Sequence, residues 1–109
     1  MKTEVFTYNN VEYVIYIGKN KSENWALIDA AEQTDIWFHV KDMPSCHVIL
    51  KCSVKLREVP RQVLSRCGVL CKQNSSKCSE KSKIIYASVN NVKKGVHEGS
   101  VIVENEKVL

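Results

Sequence analysis

One segment of the chain, Asp35 to Leu50, carries most of the side chains that could do chemistry. Residues 35–40 and 47–52 each alternate in the manner of a strand. Paired as a hairpin, they would bring an aromatic ring, two imidazoles and two ammonium groups to one face: Trp37, His39, Lys41, His47 and Lys51. On such a face bases can stack on the ring while the cations meet phosphates. The alternative is that Trp37 fills a core under a helix and that both histidines hydrogen-bond to the backbone.

The same histidines raise the question of catalysis or metal binding. With Asp35 or Asp42 nearby, His39 and His47 could hold a metal, or act as base and acid on a phosphodiester. No third ligand stands at a recognisable spacing, however, and neither H-x-H nor H-E-x-x-H occurs. The pattern therefore favours a protein that is not an enzyme and that has neither a metal site nor a cofactor.

Basic and amide side chains elsewhere are candidates for contacts with a sugar-phosphate backbone. The stretch 18–24 has a single glycine, which excludes the spacing of a phosphate-binding P-loop. Its Lys and Asn side chains suit either phosphate contacts or an ordinary surface turn. Residues 41–94 contain 12 basic and 3 acidic residues, a net charge of +9, whereas the remainder carries −5. A segment this basic suits a polyanion or, equally, a solvated surface.

Composition places the chain among folded single domains. At 109 residues, 44% hydrophobic and 26% charged, it is too apolar for disorder and too short for two stable domains. No apolar run approaches the roughly 18 residues of a membrane span. The first residues lack the apolar stretch of a secretion signal, so we expect a soluble protein of the cytoplasm, with the nucleus as the alternative. Five cysteines, an odd number, favour buried free thiols over disulfides or a zinc site.

Hydrophobic periodicity predicts an α+β fold, a single domain over residues 1–109 with a mainly antiparallel sheet packed with two helices. One helix should start near Ser22, as its cap, and run to Gln33, and a second should run from Pro60 to about Lys72. The Ser- and Lys-rich stretch 73–82 is predicted to be a mobile loop. The predicted strands are 4–8, 11–17, 35–40, 47–52, 83–89 and 101–103, the first two paired across the turn at 9–10.

The segment DIWFHVKDMPSCHVIL, residues 35–50, resembles the signature of the NFACT-R family, also called DUF814. That signature reads roughly D-[IL]-W-F-H-V-K-D-x-P-[SG]-[SA]-H-V. Residues 18–24 are similar to the family's G-[RK]-[ND]-x-x-x-N, and residues 89–99 to its V-K-K stretch followed by P-G. The resemblance covers about residues 13–103 and is closest to the small single-domain members. Cys46 and Glu98 depart from the pattern, which has Ser or Ala and Pro at those positions.

The resemblance implies a non-catalytic nucleic-acid-binding module, with RNA such as tRNA or rRNA as its partner, in translation or ribosome-associated quality control. Large relatives bind the large ribosomal subunit. Nothing in this sequence resembles their other domains, so an intact tailing factor is not expected. The alternatives are a DNA-binding relative and an adaptor whose basic surface meets a ribosomal or other protein. The residues expected to contact nucleic acid are Lys19, Asn20, Lys21, Asn24, Trp37, His39, Lys41, His47, Arg61, Lys93 and Lys94.

Overall fold

In the computed structural model, which describes residues 1–109, the chain opens with a hairpin of two strands, β1 (Lys2–Tyr8) and β2 (Val11–Ile17). The two residues between them, Asn9 and Asn10, have φ angles of 50° and 63°. Two successive left-handed residues make the tight turn whose twist matches that of paired strands, and asparagine tolerates this conformation better than most residues. The predicted hairpin is confirmed.

The other strands complete one large and one small antiparallel sheet. They are β3 (Ile36–Val40), β4 (Val48–Leu50), β5 (Ile84–Ser88), β6 (Val92–Lys94), β7 (Val101–Val103) and β8 (Lys107–Val108). The large sheet has the strand order β1-β2-β4-β3-β5-β8, and β6 pairs with β7 alone. The predicted α+β class and the hairpin of β3 and β4 are confirmed. The predicted strand list omitted β6, which lies in an Asn-, Lys- and Gly-containing stretch typical of a turn, and β8, which has only two residues.

Two helices cover the large sheet, α1 (Lys21–Ala30) and α2 (Arg61–Gln73). The prediction that Ser22 caps the first helix was wrong. The Asn20 side chain accepts the hydrogen bond from the Glu23 N–H, at 2.9 Å, so α1 begins earlier. The second helix follows its prediction closely, with Pro60 at the N-cap, where a missing N–H costs nothing.

The end of α1 was also predicted wrongly, because the helix stops at Ala30 instead of Gln33. Beyond it, the Glu32 N–H donates to the Asp35 carboxylate at 2.9 Å. A donor held by this side chain is no longer available to continue the helix, which is how aspartate competes with helical hydrogen bonding. A residue at the start of β3 therefore terminates the preceding helix.

Each face of the large sheet is covered, so the domain has two cores. One core lies under α2 and holds Ile36, Phe38 and Val40 of β3. The other lies under α1 and the small sheet, and it holds Trp37 and Ile49. The alternation of β3 and β4 predicted this division. The predicted inward side of α2 is confirmed, including the buried thiols of its two cysteines: Val63, Leu64, Cys67, Leu70 and Cys71.

The stretch predicted as a mobile loop is anchored where it leaves α2. Ser75 is buried, its hydroxyl donates to the Cys71 carbonyl at 2.6 Å, and it accepts from the Cys46 N–H at 3.1 Å. These bonds tie the end of α2 to the residues that precede β4. Neither helix has the length and apolar character needed to cross a membrane.

Candidate nucleic-acid interface

The centre of the predicted site is a hydrogen-bonded network inside the protein. Trp37 and His47 are each 1% exposed, and the Trp37 Nε1–H donates to His47 Nδ1 at 3.1 Å. The His47 backbone N–H donates to the side-chain oxygen of the buried Asn24, at 3.1 Å. Of the two alternatives left open for Trp37, the structure shows the buried one. The Trp37 ring is therefore not an exposed platform for stacking, and these three residues stabilise the site from within.

The network sets the charge and the tautomer of His47. Burial lowers the pKa of His47, the neighbouring His39 lowers it as well, and the backbone of Gly99 acts in the opposite direction, so that the resulting pKa is about 3. Because Nδ1 accepts the hydrogen bond from Trp37, the proton of the neutral ring lies on Nε2. His47 is thus a neutral structural group at physiological pH.

His39 forms the outer layer of this cluster. Its ring stacks on Trp37, with centroids 5.5 Å apart, and meets the edge of His47 at 5.1 Å. His39 Nδ1 lies 2.6 Å from the Val40 carbonyl, which only accepts, so Nδ1 carries the proton. Burial lowers the pKa of His39, against a smaller opposing effect of that carbonyl. Nε2 has no partner within the protein, and no unpartnered side-chain nitrogen is buried, so Nε2 reaches solvent.

Two glycines allow backbone to pack closely against the cluster. The Gly18 N–H donates to the His47 carbonyl at 3.0 Å, and a Cβ at Gly18 would lie 2.2 Å from the Asn24 side-chain oxygen. Gly99 has a φ of 86°, and a Cβ there would lie 3.1 Å from the Cα of Lys21. A side chain at either position would therefore push α1 away from the backbone that packs against it.

Replacing Gly18 by alanine should lower the free energy of unfolding by about 1 to 3 kcal/mol, the usual cost of overpacking. The added methyl group displaces the Asn24 oxygen from the His47 N–H. Urea denaturation of the wild type and Gly18→Ala measures the effect. In an Asn24→Ala background the same substitution should cost clearly less, because the clashing oxygen is gone. Equal costs in the two backgrounds would contradict this explanation.

The exposed part of the site is the half-buried imidazole and three lysines on the segments next to His39 and His47. We call it the His39 surface: His39, Lys19, Lys21 and Lys41. Lys41 is two residues beyond His39 and lies just past the end of β3. Lys21 lies against Gly99, whose backbone faces the His47 ring. The three lysines are exposed, and none forms an ion pair.

The remaining predicted residues have other roles or lie apart from the His39 surface. Asn20 is used as the cap of α1. Lys94 forms an ion pair with Asp29 at 2.8 Å and lies over the Trp25 ring at 5.2 Å, so part of its charge is already matched. Lys93 is exposed on β6. Arg61 is exposed on α2, on the opposite face of the sheet, so one small ligand does not reach both Arg61 and His39.

Sequence reasoning missed two residues beside the predicted set. Asp35, weighed only as a metal ligand or an acid, is a buried support whose carboxylate binds the Lys51 ammonium and the Cys52 N–H. Lys83 lies next to Lys41, whose N–H donates to the Lys83 carbonyl at 2.8 Å. Lys83 begins the predicted strand 83–89, but the pairing of that strand with β3 was not predicted.

The fold and the sequence have known counterparts. The C-terminal part of the fibronectin/fibrinogen-binding protein from Streptococcus suis matches the whole chain with a TM-score of 0.81 and 25% identity, over 44% of that chain. The coiled-coil domain-containing protein 25 homolog of Dictyostelium discoideum is 39% identical over 102 residues, which are 88% of this chain and 50% of that protein. The chain thus spans about half the length of this relative.

Two further relatives show how widely the sequence is shared. Coiled-coil domain-containing protein 25 of Bos taurus is 38% identical over 90 residues, covering 79% of this chain and 43% of that protein. The Rqc2 homolog RqcH of Bacillus subtilis is 30% identical over 96 residues, 84% of this chain and 16% of that protein. The family model described as NFACT protein RNA binding domain matches residues 2–105. The chain therefore belongs to the NFACT RNA-binding domain family.

Proposed function

We propose that this domain binds RNA, such as tRNA or rRNA, through the His39 surface, in translation or ribosome-associated quality control in the cytoplasm. The observation that carries the proposal is that three exposed lysines without ion pairs lie on the segments next to His39 and His47, and that the His39 imidazole has an open nitrogen. Cations that no internal carboxylate neutralises are the ones free to replace counterions on a phosphate backbone. The membership of an RNA-binding family supports the same ligand class.

The tautomer of His39 favours RNA over DNA as the ligand. With its proton on Nδ1, the ring presents Nε2 to solvent as a hydrogen-bond acceptor. The ribose 2′-hydroxyl is a donor that DNA lacks, and it is the group by which proteins distinguish the two. His39 Nε2 can therefore accept a hydrogen bond from the 2′-hydroxyl while the lysines bind the phosphates.

The test is fluorescence anisotropy with labelled tRNA, single-stranded RNA and duplex DNA of matched length, each over a salt series. We expect tighter binding to RNA and an affinity that falls steeply with salt, since each phosphate contact contributes about 0.7 to 0.9 to the slope. Lys21→Glu with Lys41→Glu should weaken RNA binding at least about tenfold. Equal weak binding to all three ligands would contradict the proposal and favour the protein adaptor.

A charge-matched control separates the surface from net charge. Lys55 and Lys107 are exposed and form no ion pair; Lys55 lies between β4 and α2, and Lys107 pairs with Tyr86 on the face of the sheet opposite to His39. Lys55→Glu with Lys107→Glu makes the same change in net charge, and we expect an affinity within about twofold of the wild type, because only screened long-range attraction is lost. A loss as large as that of the Lys21 and Lys41 variant would show that the domain attracts RNA without a defined site.

Two more variants test the predicted contacts that lie apart from His39. Lys93→Ala with Lys94→Ala should weaken binding to every RNA by a similar factor, since phosphate contacts carry no sequence information. Arg61→Glu tests whether the ligand is large enough to wrap around the sheet to α2. A structured tRNA can reach both faces, whereas a short single strand on the His39 surface cannot.

A further inference from the structure

Two lysines face each other where β3 and β5 begin to separate. The strands pair with Val40 opposite Ile84, and the ladder continues one residue further because the Lys41 N–H donates to the Lys83 carbonyl at 2.8 Å. Residues opposed in this way have Cα atoms about 5.5 Å apart. The ammonium groups of two such lysines can therefore meet around one small anion.

The register of the ladder assigns both lysines to the side of the sheet that carries His39. Successive residues of a strand alternate between faces, so Lys41 lies on the face of His39, and residues paired across an antiparallel ladder share a face. Lys83 consequently extends the His39 surface by a fourth cation. Ile84, the next residue, points the other way, into the core under α2.

No carboxylate neutralises this pair. The four ion pairs of the protein involve Lys51, Arg66, Lys94 and the N-terminal amine as their cations. The nearest acids along the chain, Asp42 and Glu80, are both exposed, and neither forms an ion pair. Like charges directly opposite each other destabilise a sheet. An anion bound between the two ammonium groups would remove that repulsion.

We infer that Lys41 and Lys83 form one phosphate-binding pair that holds a single phosphodiester group of RNA beside His39. As an assignment to RNA, the inference rests on the proposed function. It adds Lys83 to the interface and gives the ligand a fixed point at the end of β3. A phosphate held by two cations also places its ribose within reach of the neighbouring imidazole.

The experiment compares Lys83→Glu with Lys55→Glu, which makes the same charge change at an exposed lysine near the start of β3. We expect Lys83→Glu to raise the Kd for labelled tRNA or single-stranded RNA about tenfold at low salt and to reduce the salt slope by about 1. Lys55→Glu should leave both within about twofold. RNA binding by the wild type, with Lys83→Glu and Lys55→Glu behaving alike, would overturn the inference and leave the proposed function in place.

A titration with inorganic phosphate tests the pair without RNA. At constant ionic strength, amide resonances of residues 39–42 and 82–85 should shift in the wild type and not in Lys83→Ala. If the wild type binds no RNA, the proposed function fails, and these phosphate shifts then decide the inference alone. Shifts confined to the two segments support the pair, and their absence overturns it.

Discussion

Asp35→Ala should lower the free energy of unfolding by about 2 to 3 kcal/mol, because it removes a buried acceptor and leaves backbone donors without a partner. Asp35 is 1% exposed, and its carboxylate accepts from the Lys51 ammonium at 2.6 Å and from the backbone N–H groups of Glu32 and Cys52 at 2.9 and 3.0 Å. The substitution leaves these donors without an acceptor and releases the junction between α1 and β3. Urea denaturation at pH 7 measures the loss.

The control is an ion pair of the same chemistry at the surface. Asp29 pairs with Lys94 at 2.8 Å, but both side chains are largely exposed. Asp29→Ala should cost about 1 kcal/mol or less, because water screens the pair. A cost of Asp35→Ala no greater than that of Asp29→Ala would show that the carboxylate does not hold this junction.

The second large effect is a loss of stability in acid that originates at His47. Its folded-state pKa is about 3, whereas an unfolded histidine titrates near 6.5. Below about pH 6.5 the unfolded chain binds a proton at His47, whereas the folded protein does not. Protonation therefore favours the unfolded state. The contribution of His47 is therefore complete above pH 6.5 and is lost progressively toward pH 3. At pH 5 it amounts to about 2 kcal/mol, and the lowered pKa of His39 acts in the same direction.

Urea denaturation at pH 8, 6.5 and 5 measures this dependence for the wild type and His47→Gln. The variant should be less stable at pH 8 and should lose less stability between pH 8 and 5. His97→Gln, in the exposed loop between β6 and β7, should retain the wild-type pH dependence. A direct measurement does not depend on whether the variant folds. The His47 ring resonances of the wild type should not titrate between pH 8 and 5, and a midpoint near 6 would contradict the assignment.

Much of the fold could be predicted because strong local patterns act over a few residues. The alternation in 35–40 and 47–52 correctly divided the side chains of β3 and β4 between two faces. The periodicity of 60–72 identified the inward side of α2, and the Asn9–Asn10 pair identified the first turn. These patterns also placed His39 and Lys41 on one face. The segment 35–50 carried most of the resemblance to the NFACT-R family, which the match over residues 2–105 confirms.

The patterns did not say what covers each face, because burial depends on elements distant in sequence. Trp37 is buried since α1 and the small sheet close over it. The strand 101–103 was predicted, but its partner β6 and the position of the pair over this face were not. The end of α1 depends on Asp35, and the place of Lys83 depends on which strand β5 joins. Sequence alone therefore determined the fold class, the family and which residues share a strand face. The tertiary structure decided which of those residues meet solvent, because only long-range packing removes a side chain from water.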